Sequence, residues 1–329
     1  MPRRPTIAEP GGIFRMLPTD LAAESWPKVS VIIPAMNEAR NLPHVFKNMP
    51  SSIYEVILVD GNSTDDTVAV AQREWPDIRV ITQTRRGKGN ALACGFAAAT
   101  GDIIAAVDAD GSADPGEIPA FVEALLGGYD FAKGSRSIKG GGSADLTRLR
   151  KFGNLALSAV FNICYRTHYT DLCYGWNVFW RRHLPVLDLD TTTVVPEGGR
   201  LWGDGFEIET LIHVRVAKSW LTVTEVPSFE HNRIHGESNL STFGDGFRVL
   251  RTIFSEAWRT RVAEPVLHHE HHSEDETAQT VALEEAAAHS LHPEAQSPEP
   301  VVPPTEAAEV PHPRDARALS GTGPIPMAK

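Results

Sequence analysis

The 329-residue sequence has little cysteine, no long apolar run and no excess of basic residues. Its three cysteines lack the spacing of a metal site or a C-x-x-C motif, and an odd number of unpaired thiols is typical of a reducing compartment. No segment reaches the roughly 18 consecutive apolar residues of a membrane span. No apolar segment follows Arg3 and Arg4 as it would in a signal peptide. These absences predict a cytoplasmic protein without a membrane-spanning segment.

The formal net charge of −11 is concentrated at the C-terminus. Residues 265–329 contain 11 acidic and 3 basic residues, a net charge of −8, so residues 1–264 carry only −3. A nearly neutral folded part excludes the broad basic face of a nucleic-acid-binding protein. The Pro/Glu/His-rich composition of the tail predicts disorder. We therefore expect an irregular N-terminal arm (1–27), one folded domain (28–262) and a disordered acidic tail (263–329).

Apolar strands alternate with helical segments along the folded part. The strands are predicted at 29–34, 55–60, 78–82, 103–107 and 131–134, and Ser63 is predicted to cap the helix after the second strand. This alternation indicates βαβ units, and hence a mostly parallel α/β sheet with helices on both faces.

Three of these strands end in residues suited to a ligand. Pro34-Ala35 follows the first strand, Asp60 ends the second, and Asp108-Ala109-Asp110 follows the fourth. Open α/β sheets bind ligands at the carboxyl ends of their strands. Two carboxylates on one turn supply the hard oxygen ligands that suit Mg²⁺ or Mn²⁺. Taken alone, an Asp-x-Asp triplet is more simply interpreted as a helix cap and a turn acid.

The order and spacing of the motifs resemble those of glycosyltransferase family 2 over about residues 28–260. The branch they resemble most is the dolichyl-phosphate or polyprenyl-phosphate mannose synthase type. The three opening motifs are SVIIPAMNE (30–38), VDGNSTDDT (59–67) and VDADG (107–111), and later support comes from KGSR (133–136), 170–181, EVP (225–227) and RIHGESNL (233–240).

The resemblance implies a GT-A (Rossmann-like) fold, a nucleotide-sugar donor and a divalent metal ion. Asp60 would contact the base of the donor, and Asp108 and Asp110 would hold the metal and the sugar diphosphate. Lys88, in the loop Gly87-Lys88-Gly89, would lie near phosphate; the other interpretations of this loop are a flexible loop or a dinucleotide site, although the third glycine of the latter is missing. The residues predicted to bind the nucleotide sugar are Pro34, Ala35, Glu38, Asp60, Lys88, Asp108, Ala109 and Asp110.

A group of basic residues is the candidate site for an acceptor phosphate. Arg136 follows the fifth strand, and Arg148, Arg150 and Lys151 open the next helix. A phosphate acceptor needs cations that bring it close to an anionic diphosphate. In the resembling synthases one Arg in the Ser-Arg turn and one basic residue near this helix start bind that phosphate. The ordinary interpretation of such a group is a solvated helix face. The predicted acceptor-phosphate residues are Arg136, Arg150, Lys151 and Arg233.

Asp204 separates two hypotheses about the acceptor. It precedes an apolar helix, so it is either an N-cap or the general base that a hydroxyl acceptor requires. A phosphate acceptor is already an anionic nucleophile and needs no base. His231 or His235 could complete the metal shell, although the ordinary interpretation is that neither is a ligand. The predicted catalytic residues are Asp110, Arg136 and Asp204.

The leading hypothesis is metal-dependent transfer of a hexose from GDP-mannose or a UDP-sugar to a polyprenyl phosphate at the inner face of a membrane. The second is inverting transfer to a sugar or small-molecule hydroxyl, and the third is a nucleotide-sugar-binding module without turnover. A basic amphipathic helix is predicted at about 246–262, and it either lies on a membrane surface or packs on the sheet.

Overall fold

The structure of the protein is a computed structural model that describes residues 26–196, 199–236 and 242–259. Of the predicted arm (1–27), only Trp26 and Pro27 fall within the described residues, and the predicted tail (263–329) lies outside them. Among the described helices, none combines the length and the apolar character that crossing a bilayer requires.

A seven-stranded sheet forms the centre of the fold, with the strand order β3-β2-β1-β4-β7-β5-β8. Its strands β1, β2, β3 and β4 run parallel to one another, β5 runs parallel to β8, and β7 runs antiparallel to both of its neighbours, β4 and β5. A second, two-stranded sheet pairs β6 with β9. The strands are β1 (Val29–Ala35), β2 (Glu55–Asp60), β3 (Arg79–Thr82), β4 (Ile103–Ala106), β5 (Phe131–Ser135), β6 (Gly142–Ser143), β7 (Asn177–Trp180), β8 (Val223–Pro227) and β9 (Phe229–Glu230).

Eight α-helices connect and cover these strands in the described part of the chain. They are α1 (Leu42–Lys47), α2 (Thr67–Glu74), α3 (Lys88–Ala98), α4 (Ile118–Leu126), α5 (Arg148–Tyr165), α6 (Leu184–Leu187), α7 (Ile208–Lys218) and α8 (Thr242–Ala257). The predicted mostly parallel α/β architecture is therefore confirmed.

The sheet is buried on both faces because successive side chains of a strand point to opposite sides. On one side, Val31 and Ile33 of β1 join a core that includes residues of α1, α2 and α4. On the other side, Ile32 joins a core that includes residues of α3, α5, α7 and α8. Helix α7 is buried around most of its circumference, and it lies within this second core with α5 and α8 packed against it.

Two local expectations from the sequence are wrong, and several strands were missed, β7 among them. Helix α2 begins at Thr67 with Asp66 at its N-cap position, so Ser63 does not cap it; the Ser63 hydroxyl instead accepts a hydrogen bond from the Asn37 backbone N–H at 3.0 Å. Helix α7 begins at Ile208, so Asp204 is not its N-cap either. The antiparallel strand β7 was not predicted, although its Val-Phe-Trp sequence has the β-branched and aromatic residues that favour strands.

Asp130 joins three segments beside the N-terminal end of β5. Its carboxylate accepts hydrogen bonds from the Thr222 backbone N–H at 2.8 Å and hydroxyl at 2.7 Å, and it contacts His183 Nε2 at 3.0 Å. Burial alone would raise the pKa of Asp130, but the contacts with His183 and Thr222 outweigh burial and lower the pKa to about 2.

We expect Asp130→Asn to destabilise the protein by about 1–2 kcal/mol at about pH 6, as a lowered carboxyl pKa implies. A carboxyl with a lowered folded-state pKa stabilises the fold above its unfolded pKa of about 4, and this contribution is lost as the pH falls towards the folded-state value. The difference between the variant and the wild type should therefore shrink between about pH 5 and about pH 3. Urea unfolding at several pH values measures it, with the exposed Asp77→Asn as control. A difference that does not vary with pH would contradict the assignment.

Candidate functional site

The carboxyl ends of β1, β2 and β4 meet at one edge of the sheet, as the sequence predicts. The turns after β1 and β2 are joined, because the Gly61 N–H donates to the Ala35 carbonyl at 2.8 Å. The Asp60 carboxylate accepts hydrogen bonds from the backbone N–H groups of Asn62 (3.1 Å) and Ser63 (3.2 Å). Asp60 thus fixes the shape of the turn, and its contact with a donor base stays a prediction.

Asp108 lies just past β4 in an ion-pair network. Lys88, the first residue of α3, places its ammonium 2.8 Å from Asp108 Oδ1 and 2.7 Å from Glu209 Oε1. Glu209 belongs to the first turn of α7, and its carboxylate packs against Gly175. A Cβ at position 175 would collide with this carboxylate. The structure therefore brings together two predicted residues, Lys88 and Asp108, and adds Glu209.

Asp110 is held by a second network. Its Oδ1 accepts hydrogen bonds from the Ser112 backbone N–H at 2.9 Å and hydroxyl at 2.7 Å, and its Oδ2 lies 2.9 Å from Arg233 Nη2. The Arg233 guanidinium also lies 3.5 Å from Glu38 Oε1. Arg233 was predicted to bind acceptor phosphate, and here it neutralises the second carboxylate of the Asp-x-Asp turn.

Four carboxylates, which we call the acidic cluster, lie together at this edge of the sheet: Glu38, Asp108, Asp110 and Glu209. Burial raises the pKa of Glu38, and the negative charges of Asp110 and Asp108 raise it further against the effects of Asn41 and Arg233. Burial also raises the pKa of Asp108, with Asp110 and Glu209 adding to the shift and Lys88 opposing it.

The same surroundings keep Lys88 in its charged form. Burial would lower the pKa of Lys88, but the charges of Asp108 and Glu209 outweigh it and raise the pKa above its ordinary value. The lysine is therefore a permanent cation at neutral pH. With Lys88 and Arg233 as its paired cations, the acidic cluster keeps an excess of two negative charges.

The start of α3 is pressed against the loop before α7. The backbone N–H groups of Gly89 and Asn90 donate to the Asp204 carbonyl at 2.8 and 3.2 Å. A Cβ at Gly89 would collide with the Gly203 carbonyl, and Gly87 has a φ of +131°, a conformation that favours glycine. The two glycines therefore permit contact between two protein segments, which is a different use from the approach to a dinucleotide.

Both oxygens of the Asp204 carboxylate are engaged in hydrogen bonds. It accepts hydrogen bonds from Arg85 Nε at 2.8 Å and Nη2 at 2.9 Å, and from the Leu201 backbone N–H at 2.7 Å. Both side chains are almost fully buried. The hydrogen bonds from Arg85 to Asp204 raise the pKa of Arg85. Both oxygens of Asp204 are thus bound to a buried guanidinium, and its role as a catalytic base stays a prediction.

Arg136 is held in a similar way. Its guanidinium donates to Asp171 at 2.7 and 2.8 Å and to Glu230 at 2.9 Å, and it lies 4.7 Å from the Tyr174 ring centroid. The side chain is 6% exposed, so a phosphate could reach it only after rearrangement. Burial would lower the pKa of Arg136, but Asp171 and Glu230 raise it. The acceptor-phosphate and catalytic roles of Arg136 stay predictions.

The remaining predicted residues are more exposed. Arg150 forms an ion pair with Asp145 at 3.2 Å, and Lys151 is exposed on α5. The His231 backbone N–H donates to the Ser112 carbonyl at 2.8 Å, which ties β9 to the Asp110 turn. In the described ranges, no group of three or more His, Cys, Asp or Glu side chains is arranged to hold a metal ion, so neither His231 nor His235 completes such a set.

Sequence reasoning missed Glu209 and Arg85. Glu209 stands in the same Gly-Asp-Gly-Phe-Glu-Ile-Glu stretch as Asp204, so the acidic composition of that stretch was a signal, although it did not indicate which carboxylate faces the edge of the sheet. Arg85 had no signal beyond its position before the glycine loop, because its partner is 119 residues away.

Comparison with known proteins places this arrangement among glycosyltransferases. The sequence profile described as glycosyl transferase family 2 matches residues 30–185. An uncharacterized glycosyltransferase of Mycobacterium tuberculosis is 32% identical over 219 residues, which are 65% of this chain and 89% of the relative. The undecaprenyl-phosphate mannosyltransferase of Micrococcus luteus is 30% identical over 223 residues, 65% of this chain and 88% of the relative.

Two further proteins extend the comparison. The dolichol-phosphate mannosyltransferase of Pyrococcus furiosus is 32% identical over 229 residues, 65% of this chain and 59% of the relative. The crystal structure of glucosyl-3-phosphoglycerate synthase from Mycobacterium tuberculosis, in complex with Mn²⁺, UDP and phosphoglyceric acid, has a TM-score of 0.54 at 21% identity and covers 72% of this chain and 81% of that chain. The fold is therefore shared with a solved GT-A enzyme.

Proposed function

The chain belongs to glycosyl transferase family 2, and from this premise we propose that it transfers a hexose from a nucleotide sugar to a polyprenyl phosphate. It is a glycosyltransferase; the identities of the sugar and of its acceptor are the proposed part. The observation that carries the proposal is the edge of the sheet where Lys88 and Arg233 hold the two carboxylates of the Asp-x-Asp turn. The names of the relatives from Micrococcus luteus and Pyrococcus furiosus, both polyprenol-phosphate mannosyltransferases, support this acceptor.

The residues present fit a divalent cation such as Mg²⁺ or Mn²⁺. Asp108 and Asp110 supply two hard oxygen ligands on one turn, and the acidic cluster has two more negative charges than its paired cations. Because the described residues contain no larger ligand set, the diphosphate and water would supply the other ligands, as is common for Mg²⁺. When bound, the metal would neutralise the negative charge that develops on the leaving diphosphate.

The chain's own residues would act on the two substrates as follows. Lys88 is a fixed cation beside Asp108, so it would attract the donor diphosphate. Arg233 can exchange its contact with Asp110 for a phosphate oxygen, because a guanidinium binds carboxylate and phosphate through the same donors. A phosphate acceptor needs no general base, which agrees with the full occupation of Asp204 by Arg85. Arg150 and Lys151 remain candidate contacts for the acceptor phosphate.

The hydroxyl-acceptor hypothesis has less support, since it needs Asp204 as a base and Asp204 is bound on both oxygens. The hypothesis of a binding module without turnover conflicts with the intact Asp-x-Asp turn and its paired cations. We place the reaction in the cytoplasm at the inner face of a membrane, where polyprenyl phosphates present their head groups.

A donor and acceptor screen tests the proposal. Purified full-length protein is incubated with GDP-mannose, UDP-glucose or UDP-N-acetylglucosamine, with and without polyprenyl phosphate, and with Mg²⁺, Mn²⁺ or EDTA. We expect transfer of labelled sugar into the organic-extractable fraction with one donor only, only with polyprenyl phosphate, and none in EDTA. Faster transfer to a water-soluble hydroxyl acceptor would contradict the proposed acceptor, and absence of turnover with every pair would favour the binding module.

A further inference from the structure

Helices α5 and α8 expose several large apolar side chains. On α5, the exposed residues Leu149, Phe152, Leu155 and Ile163 follow helical spacing, so they share one face. Phe247 and Phe254 of α8, and Trp258 directly after its last residue, lie at spacings of seven and four residues. These seven side chains, which we call the α5–α8 surface, are between 51% and 86% exposed.

The two helical faces form one surface because of how the helices pack. Helix α5 contacts α8, and the Tyr165 hydroxyl donates to the Ile253 carbonyl at 2.6 Å. Both helices also contact α7, which lies beneath them in the second core. Their sides turned away from α7 therefore point outwards together. Seven large apolar side chains exposed on two adjoining helical segments indicate a contact with an apolar partner.

The charges around the surface indicate which partner. Helix α5 contains Arg148, Arg150 and Lys151 and no acidic residue. On α8, Arg251 is exposed beside the aromatic residues, the half-buried Asp245 is paired with Arg248, and Glu256 is buried. A helical face with large apolar side chains and a basic border matches the interface of a bilayer that contains anionic lipids. A second copy of the chain would bring like charges of the border together.

A chain of direct contacts connects α5 with the candidate site. Asn154 of α5 donates to Asp171 at 2.9 Å, and Asp171 in turn holds Arg136. Arg136 contacts Glu230, whose neighbour His231 is bonded to the Asp110 turn through Ser112. The first turns of α5 thus lie next to the elements that shape the acceptor side of the site.

We propose that the α5–α8 surface inserts its aromatic and aliphatic side chains into the interface of an anionic bilayer, and that the protein takes its lipid-phosphate acceptor there. The second half of this proposal rests on the proposed function, whereas the first half does not. Association with the bilayer would let the lipid chain stay in the membrane while the phosphate reaches Arg233, beside Asp110.

Vesicle sedimentation tests the first half without any need for turnover. Full-length protein is mixed with vesicles of phosphatidylglycerol and phosphatidylcholine in equal parts, or of phosphatidylcholine alone. We expect binding to the anionic vesicles, and at least about tenfold weaker binding for Phe152→Ser combined with Trp258→Ser, because two large apolar side chains no longer enter the interface. The matched control is Leu126→Ser, which removes an exposed leucine from α4 on the opposite side of the sheet.

Two further measurements separate the possible outcomes. With a water-soluble short-chain prenyl phosphate, the double variant should turn over as the wild type does, while its turnover with long-chain acceptor in vesicles should fall at least about tenfold, in line with its weaker vesicle binding. Sedimentation velocity checks the state of association. Wild-type protein that does not bind anionic vesicles, or a variant that only converts a dimer to a monomer, would overturn the proposal. Vesicle binding without any sugar transfer would support bilayer binding by the α5–α8 surface and contradict the proposed function instead.

Discussion

Replacing Asp110 with asparagine is expected to lower sugar transfer by about 100-fold or more, the scale of losing a main electrostatic stabiliser of a transition state. Asparagine keeps the size of the side chain and one oxygen that can accept from Ser112, so the turn should keep its shape. The negative charge that faces Arg233 and a divalent cation is lost. Initial rates at saturating donor, as a function of Mg²⁺ or Mn²⁺ concentration, measure the effect.

The control for this experiment is Asp77→Asn, which removes an exposed carboxylate after α2. Its rate and metal dependence should match those of the wild type. Thermal unfolding of Asp110→Asn should differ little from the wild type, because the acidic cluster already has an excess of negative charge and loses part of it. Normal transfer by Asp110→Asn, or full wild-type activity in EDTA, would contradict the metal-binding role of the turn.

Replacing Asp204 with asparagine is expected to destabilise the protein by about 3–5 kcal/mol, the usual cost of removing one partner of a buried ion pair. The variant leaves the buried Arg85 guanidinium with only its longer ion pair to Asp190, at 3.8 Å. Because the Asp204 carbonyl also receives the N–H groups of Gly89 and Asn90, strain at this position would reach Lys88. The melting temperature should fall by at least about 6 °C for a domain of this size.

Activity measured per folded molecule separates this structural role from that of a base. At a temperature where Asp204→Asn is still folded, we expect its rate to stay within about tenfold of the wild type, whereas loss of a general base lowers rates by about 10²–10⁴-fold. The double variant Arg85→Met, Asp204→Leu should recover much of the stability, since replacing both partners with apolar residues is often neutral. A stable but inactive Asp204→Asn would instead support the hydroxyl-acceptor hypothesis.

The sequence predicts the fold and the location of the site because both depend on local patterns. Strand residues such as Ile32 and Ile104 are apolar and β-branched, and the acids at the end of β2 and after β4 interrupt these runs at the carboxyl edge. The antiparallel strand β7 was missed, because a short apolar run does not reveal the direction in which it pairs. The wrong assignment of Ser63 has a related cause: its hydroxyl binds Asn37, 26 residues away.

The partners of charged side chains could not be predicted in the same way. Arg136 and Asp204 each stand in a motif that is compatible with catalysis. Only the structure shows that Arg136 forms ion pairs with Asp171 and Glu230. It likewise shows that Asp204 forms an ion pair with Arg85. Pairing of this kind depends on contacts between distant segments, which leave no periodic pattern in the sequence. Glu209 illustrates the same point, because its role depends on Lys88 and on the space that Gly175 leaves.

The ion pair between Lys88 and Glu209 also limits how early the site can be assembled during synthesis. Lys88 and Asp108 are 20 residues apart, whereas Lys88 and Glu209 are 121 residues apart. A chain made from its N-terminus completes the Asp-x-Asp turn well before α7 emerges from the ribosome. Closing so long a loop is slow and comes late in folding. A nascent chain that ends before Ile208 therefore contains the motif without the balanced charges of the finished site, and its competence to bind substrate arises together with its last long-range contacts.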